Sequence, residues 1–261
     1  MTSQELNEIA AALETARISQ TPIDPPKTTY PELTTDGAFE VQRITVQNAV
    51  KNGDRHVGYK LGNIAKVMQT AFGLGHPDYG FLLGSFFLHE GQKISLGKFI
   101  KPYVELEPAF ILKGHLKGPN VTIADVVRAI DFAIPAIEII DSRVKDWAIS
   151  LEDTLADNGS QGAIILGGTP RQITDLNLHN TRGVLKFNGT EVMTGNTQNI
   201  LGNPLAATAW LVNRLAQYEV EFLPGQVIMP GSCLQAMPMD KPGRWTCSFE
   251  GWGTIEFDVV Q

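Results

Sequence analysis

Disulfide scaffolds, zinc proteins and nucleic-acid binders are all set aside by what this chain lacks. Its 261 residues hold two cysteines, Cys233 and Cys247. Two thiols make no disulfide framework, and without a CxxC pair or a Cys/His cluster there is no zinc signature. No Lys/Arg cluster or basic–aromatic stripe interrupts a formal net charge of −7, which excludes nucleic acid as the main partner. No apolar run approaches the ~20 residues needed to span a membrane. The N-terminus also lacks the basic-then-apolar pattern of a secretory signal, so a reducing, cytoplasmic setting is expected. Repeats and low-complexity stretches are missing too. Glycine (25) and proline (15) are plentiful, as in loop-rich folds containing β-structure. The chain is long enough to bury a sizeable core.

Residues 101–112 organise the rest. They read as a β-strand with Val104, Leu106 and Phe110 on one face and Glu105, Glu107 and Ala109 on the other. Glu138, flanked by Ile137 and Ile139, points away from the apolar side of a second strand. Carboxylates on apolar strands are costly unless something neutralises them. Two readings stand: a hard divalent cation with oxygen ligands, or a solvent-facing strand edge whose acids are simply hydrated.

The periodicity predicts a helix over 3–17, a proline-rich connector over 22–31 without regular structure, and a second helix over 36–52. Both helices read as packing or subunit-contact elements. Residues 55–62 read as a strand that puts Lys60 between Gly58 and Gly62, leaving room for a ligand beside its ammonium. A short helix is expected over 64–72 and a turn cluster over 75–80, with Asp78 as a turn cap or a site acid. A capping-box helix from Thr122 has Val126, Val127, Ile130 and Ala133 as its apolar face. The polar loop over 153–162 can ring a site with N–H groups and hydroxyls. A hairpin turns at Asn188-Gly189, a helix follows Asn203-Pro204, and short strands fill the C-terminal third. Short strands around a few helices indicate an α+β, β-rich fold.

Five ordered motifs then carry a family likeness: Gly58-Tyr59-Lys60-Leu61-Gly62, Pro77-Asp78-Tyr79-Gly80, Val104-Glu105-Leu106-Glu107, residues 135–143, and Asp157-Asn158-Gly159-Ser160. The chain resembles the 2-oxopent-4-enoate hydratases and their sister group, 4-oxalocrotonate decarboxylase, both in the fumarylacetoacetate hydrolase superfamily. The resemblance covers nearly the whole chain. It implies a fumarylacetoacetate-hydrolase-like β-roll over 55–261 behind a mostly helical region over 1–54. It implies Mg²⁺ or Mn²⁺ held by Glu105, Glu107 and Glu138, with Lys60, Asp78 and Ser160 facing the substrate. That substrate is a small 2-oxo acid or 2-hydroxydienoate. A homo-oligomer is expected, with association to a pathway partner enzyme also open.

Pro77-Asp78, Asp146-Trp147 and residues 153–158 look more like the hydratases than the decarboxylases, while residues 30–34 lean the other way. Hydrolytic relatives look to use a His/Glu pair, for which His89-Glu90 is the available match. A catalytically silent subunit is a further reading. Two departures stand out. Gly62-Asn63-Ile64 replaces the usual Gly-Leu-Thr, and Pro230-Gly231 replaces Thr-Gly. If Ile64 and Pro230 line the pocket, its wall is less polar than in relatives.

Overall fold

The computed structural model describes residues 1–64 and 77–261. The helix expected over 64–72 therefore lies outside the described residues except for Ile64, as do Gly75 and His76 of the expected turn. Helix α1 (Ser3–Ser19) opens on a Thr2/Glu5 capping box and buries Ile9, Ala10, Leu13 and Ala16, the stripe that a 3.6-residue period presents to one side. The connector is not wholly irregular. Pro26–Thr29 forms one helical turn, α2, because Pro26 occupies a first position where its missing N–H costs nothing. Helix α3 (Thr35–Lys51), capped by Thr34, sends Phe39 against Tyr79 and Phe81, docking the helical region on the sheet.

Strands β1 (His56–Gly62), β2 (Asp78–Leu83), β3 (Phe87–Leu88), β5 (Tyr103–Leu112), β6 (Ile130–Ile140), β7 (Gln161–Leu166) and β10 (Val227–Met229) form a mixed sheet ordered β2-β1-β10-β5-β6-β7-β3. Strand β11 (Met237–Pro238) adds to the start of β5. A second sheet is ordered β4 (Lys93–Ser95), β13 (Gly253–Val260), β12 (Gly243–Phe249), β8 (Arg182–Phe187), β9 (Thr190–Asn196). The architecture is α+β, with the mostly helical N-terminal region followed by the two sheets.

Apolar residues cover both faces of β5 and β6. Val104, Leu106, Phe110, Ile137 and Ile139 join the main core, while Ala109, Ile134 and Ala136 form a smaller cluster behind the other face. Strand β5 is paired on both sides, so the solvent-edge reading of its acids fails. Two further expectations are corrected. The helix from Thr122, α4, stops at Ala129, and Ile130 and Ala133 belong to β6. Val127 is exposed. Asp78 is no turn cap; it opens β2 and is buried.

Candidate active site

Strand register assembles the acids. Glu105 on β5 pairs directly with Glu138 on β6, and Glu107 lies two residues along the same face of β5. One oxygen from each of the three carboxylates lies within 4.8 Å of the others. The group meets the demands of a divalent cation on two counts. Its donors are all hard oxygens. Among the described residues, Glu107 Oε1 and Glu138 Oε2 are buried without a hydrogen-bond donor. Glu107 Oε2 accepts from the Gly231 N–H at 3.0 Å, which turns the other oxygen toward its neighbours.

The electrostatics agree with the geometry. Burial, then the Glu138 and Glu105 charges, holds Glu107 well above the ordinary carboxylate range. Glu105 is half-buried at a cavity wall and keeps some access to water. Burial and the Glu138 charge push it up to about 8. Burial likewise raises Glu138, with Lys60 opposing. Three carboxylates this close cannot all ionise without a counter-charge.

Lys60 supplies part of it. Strand β1 pairs with both β2 and β10 and aims the side chain inward, placing Nζ 2.8 Å from Glu138 Oε1. The ammonium therefore partners Glu138 Oε1 and leaves Oε2 as the oxygen without a donor among the described residues. Burial opposes the ammonium charge, but Glu138 and then Asp78 outweigh it and hold Lys60 above its ordinary value. The flanking glycines do a different job from the one their sequence suggests. A Cβ at Gly58 would sit 1.9 Å from the Val227 carbonyl oxygen, so Gly58 admits strand β10. Gly159 is what clears Lys60, because a Cβ there would lie 2.5 Å from its Cε.

Asp78 accepts at Oδ2 from the Asn63 amide and from Thr154 Oγ1 at 2.9 Å. Among the described residues, its Oδ1 is buried with no hydrogen-bond partner. Ser160 lies in the turn Asn158–Ser160 that follows helix α5 (Leu151–Ala156), so the loop expected over 153–162 is largely helical. Its hydroxyl donates to Asp157 Oδ2 at 3.2 Å. Arg143 secures this turn. Its guanidinium donates to Asp157, and to the carbonyls of Asp141 and Gln161, at the end of β6.

Lys60, Asp78, Glu105 and Ser160 open on one cavity of about 320 Å³, walled further by Asn63, Tyr103, Ile140, Asp146, Trp147, Ile149 and Gln235. A larger groove of about 650 Å³ beside α1 and α3 contains none of the converging acids. His89 and Glu90 lie in an exposed turn away from this cavity's wall. Ile64 and Pro230 are not part of that wall either. Both are buried, and Ile64 lies against Gly231, behind Glu107. The expectation of an apolar wall built by those two residues is therefore corrected. Asn63, Thr154 and Arg143 were missed as site residues. Asn63 was visible as a departure from the family motif, and Arg143 lay inside a quoted motif. Only folded contacts reveal what Thr154 does.

No family model matches the chain. A 2-oxo-hept-4-ene-1,7-dioate hydratase from Escherichia coli is 36% identical over 237 residues, spanning 88% of this chain and 89% of the relative. A 2-keto-4-pentenoate hydratase from Paraburkholderia xenovorans is 35% identical over 264 residues, spanning 100% and 98%. Among solved structures, 4-oxalocrotonate decarboxylase from Pseudomonas putida G7, complexed with magnesium and adipate, superposes with a TM-score of 0.96 at 29% identity, covering 100% of this chain and 99% of the other.

Proposed function

We propose a function from one premise: the chain belongs to the 2-keto-4-pentenoate hydratase family of the fumarylacetoacetate hydrolase superfamily. The enzyme is a metal-dependent hydro-lyase that adds water to a 2-hydroxy-2,4-dienoate of the 2-oxopent-4-enoate type, in the degradation of aromatic compounds. The observation that carries the site assignment is the meeting of the three acids within 4.8 Å, with Lys60 paired to Glu138 and with Glu105, Lys60 and Asp78 lining one cavity. Glu105, Glu107 and Glu138 would hold the divalent cation, Mg²⁺ or Mn²⁺. Bound there, it supplies Lewis-acid polarisation of the substrate's 2-oxygen and carboxylate.

The chain's own residues handle the protons. Asp78 Oδ1, without another partner among the described residues, accepts the proton of the substrate's 2-hydroxyl. The Lys60 ammonium, kept charged by its acidic neighbours, delivers a proton to the terminal carbon C5. The double bond then lies between C3 and C4, conjugated with the 2-oxo group. Water bonds to C4 through oxygen and returns its proton to the Lys60 amine, while Asp78 passes its proton to C3. The product is the 4-hydroxy-2-oxo acid and both side chains regain their starting states. Ser160 and the backbone around it orient the substrate or the water. The groups named all come from residues 55–261, and the region over 1–54 acts through packing.

Assembly into a homo-oligomer is supported by Ile123 and Val127, which leave exposed apolar surface one turn apart on α4. Light scattering would test it. A cytoplasmic location is supported by Cys233 and Cys247, both buried as free thiols. No helix among the described residues is long and apolar enough to cross a membrane.

The deciding experiment measures loss of dienoate ultraviolet absorbance with Mg²⁺ and with chelator. Metal-dependent hydration supports the reading, and carbon dioxide release would instead assign the decarboxylase reaction, which the likeness to 4-oxalocrotonate decarboxylase keeps as the second reading.

A further inference from the structure

Resting on the hydratase reading above, we propose that Asn63 is a positioning residue for Asp78. Its amide and the Thr154 hydroxyl hold one oxygen of that carboxylate, so the other is the single proton-accepting atom presented to the substrate.

Geometry supports the assignment from three sides. First, Asn63 Nδ2 donates to Asp78 Oδ2 at 2.5 Å and Thr154 Oγ1 donates to the same oxygen at 2.9 Å. A carboxylate rotates its two oxygens into each other's places only by breaking both bonds. Second, among the described residues Asp78 Oδ1 is buried with no donor, although Asp78, Asn63 and Thr154 all line the 320 Å³ cavity. A buried acceptor without a partner is costly, and a substrate hydroxyl or water would satisfy it. Third, the floor beneath Oδ1 is glycine. A Cβ on Gly62, the cross-strand partner of Asp78, would lie 2.3 Å from Oδ1 and push the carboxylate out of place.

Asn63 also occupies the left-handed region, with φ of 51°. Asparagine tolerates that conformation, so the residue could serve the turn alone. Glycine satisfies the turn equally well and has no amide side chain. The contrast between Asn63→Gly and the wild type therefore isolates the side chain.

The test uses the full chain with Mg²⁺ and a 2-hydroxydienoate. Asn63→Gly is expected to lower kcat about tenfold with KM changed less than about twofold, because it disorders a group that moves protons without touching the bound carboxylate. Asn63→Asp is isosteric and folds if Asn63→Gly does not. It replaces the donor with a second carboxylate and is expected to cost about a hundredfold. The discriminating measurement is a double-mutant cycle. In an Asp78→Asn background, Asn63→Gly should have no further effect on kcat, since its target is gone. An equal loss in both backgrounds, or unchanged kcat in both Asn63 variants, overturns the proposal. If the wild type turns over no dienoate, the hydratase reading itself fails and the proposal falls with it. If the wild type is active and Asp78→Asn is unimpaired, the base is misassigned, and the proposal is overturned on that ground.

Discussion

Glu105 and Glu138 are cross-strand partners, set opposite each other by the register of β5 and β6. Like charges in that relationship destabilise a sheet, and here Glu107 adds a third on the same face. If the three acids hold the cation as proposed, the arrangement trades the stability of the empty fold for that site. Glu105→Gln should therefore raise the melting temperature of the chelator-treated protein while weakening Mg²⁺ binding at least tenfold, about 1.4 kcal/mol. Calorimetric titration and thermal melts with and without Mg²⁺ check both halves. A variant less stable in chelator and unaltered in metal affinity would contradict the assignment.

The same acids fix a pH dependence. Glu105 rises in the folded, metal-free state to about 8. Between the ordinary carboxylate value and that value, the unfolded chain has released a proton that the folded chain keeps. Stability from this group is thus fully present at low pH and is lost as pH rises, by about 1.4 kcal/mol per pH unit for each such proton. Glu107 and Glu138 shift in the same direction. Mg²⁺ binding demands the deprotonated acids, so the rise in melting temperature on adding Mg²⁺ should be larger at about pH 8 than at about pH 5.5. An increment that shrinks with rising pH would refute the site.

Lys60 offsets Glu138 and, in the mechanism above, delivers a proton. Lys60→Met should remove turnover by at least about a hundredfold. Because Glu138 would lose its buried partner, the metal-free variant should also lose about 3–5 kcal/mol of stability, in part restored by Mg²⁺. Turnover within twofold of the wild type would take Lys60 out of the reaction.

How far the sequence told this story depends on the range of the contacts involved. The period-2 pattern of residues 101–112 located β5 and its two acids, because alternation is a local property of a strand. The hairpin at Asn188-Gly189 and the helix after Asn203-Pro204 were legible for the same reason. Helix α4 was drawn too long, since Val126, Ile130 and Ala133 also suit a helical face. Only pairing with β5 makes Ile130 and Ala133 strand residues. Thr154 meets Asp78 across 76 positions, and Arg143 meets Asp157 across 14, so no local pattern announces either contact.

Arg143 gives a prediction about the turn Asn158–Ser160. Its side chain is buried with Asp157 and donates to two carbonyls besides. Arg143→Met would strand the Asp157 carboxylate without its partner and should cost about 3–5 kcal/mol in chemical denaturation. Folded Arg143→Met should also turn over more slowly, because this clamp holds the turn whose Gly159 lies against Lys60. A variant as stable as the wild type would show that the clamp contributes nothing net.

Substrate preference follows from the outer wall of the cavity. Tyr103, Ile140, Trp147 and Ile149 present apolar and aromatic surface there, with Asp146 beside them. Trp147 is fixed in place. Its indole N–H donates to the Lys101 carbonyl at 3.0 Å and its ring meets Tyr103 edge-on at 5.3 Å. Asp146 and Trp147 both take positive φ, 56° and 57°, so the backbone is held in an uncommon conformation that turns this wall toward the cavity. A dienoate with an apolar tail buries it against Trp147 and Ile149, gaining about 1–3 kcal/mol per methylene at most. A dicarboxylate brings its second charge up to Asp146. The enzyme should therefore favour monocarboxylate dienoates with apolar tails over a dicarboxylate of the oxalocrotonate type. Asp146→Asn should raise kcat/KM for the dicarboxylate about fivefold, about 1 kcal/mol for an exposed charge, and leave the monocarboxylate nearly unchanged. The measurement is the ratio of the two kcat/KM values in each protein. A wild type that already prefers the dicarboxylate, or a ratio that Asp146→Asn does not move, would show that this wall does not select the substrate.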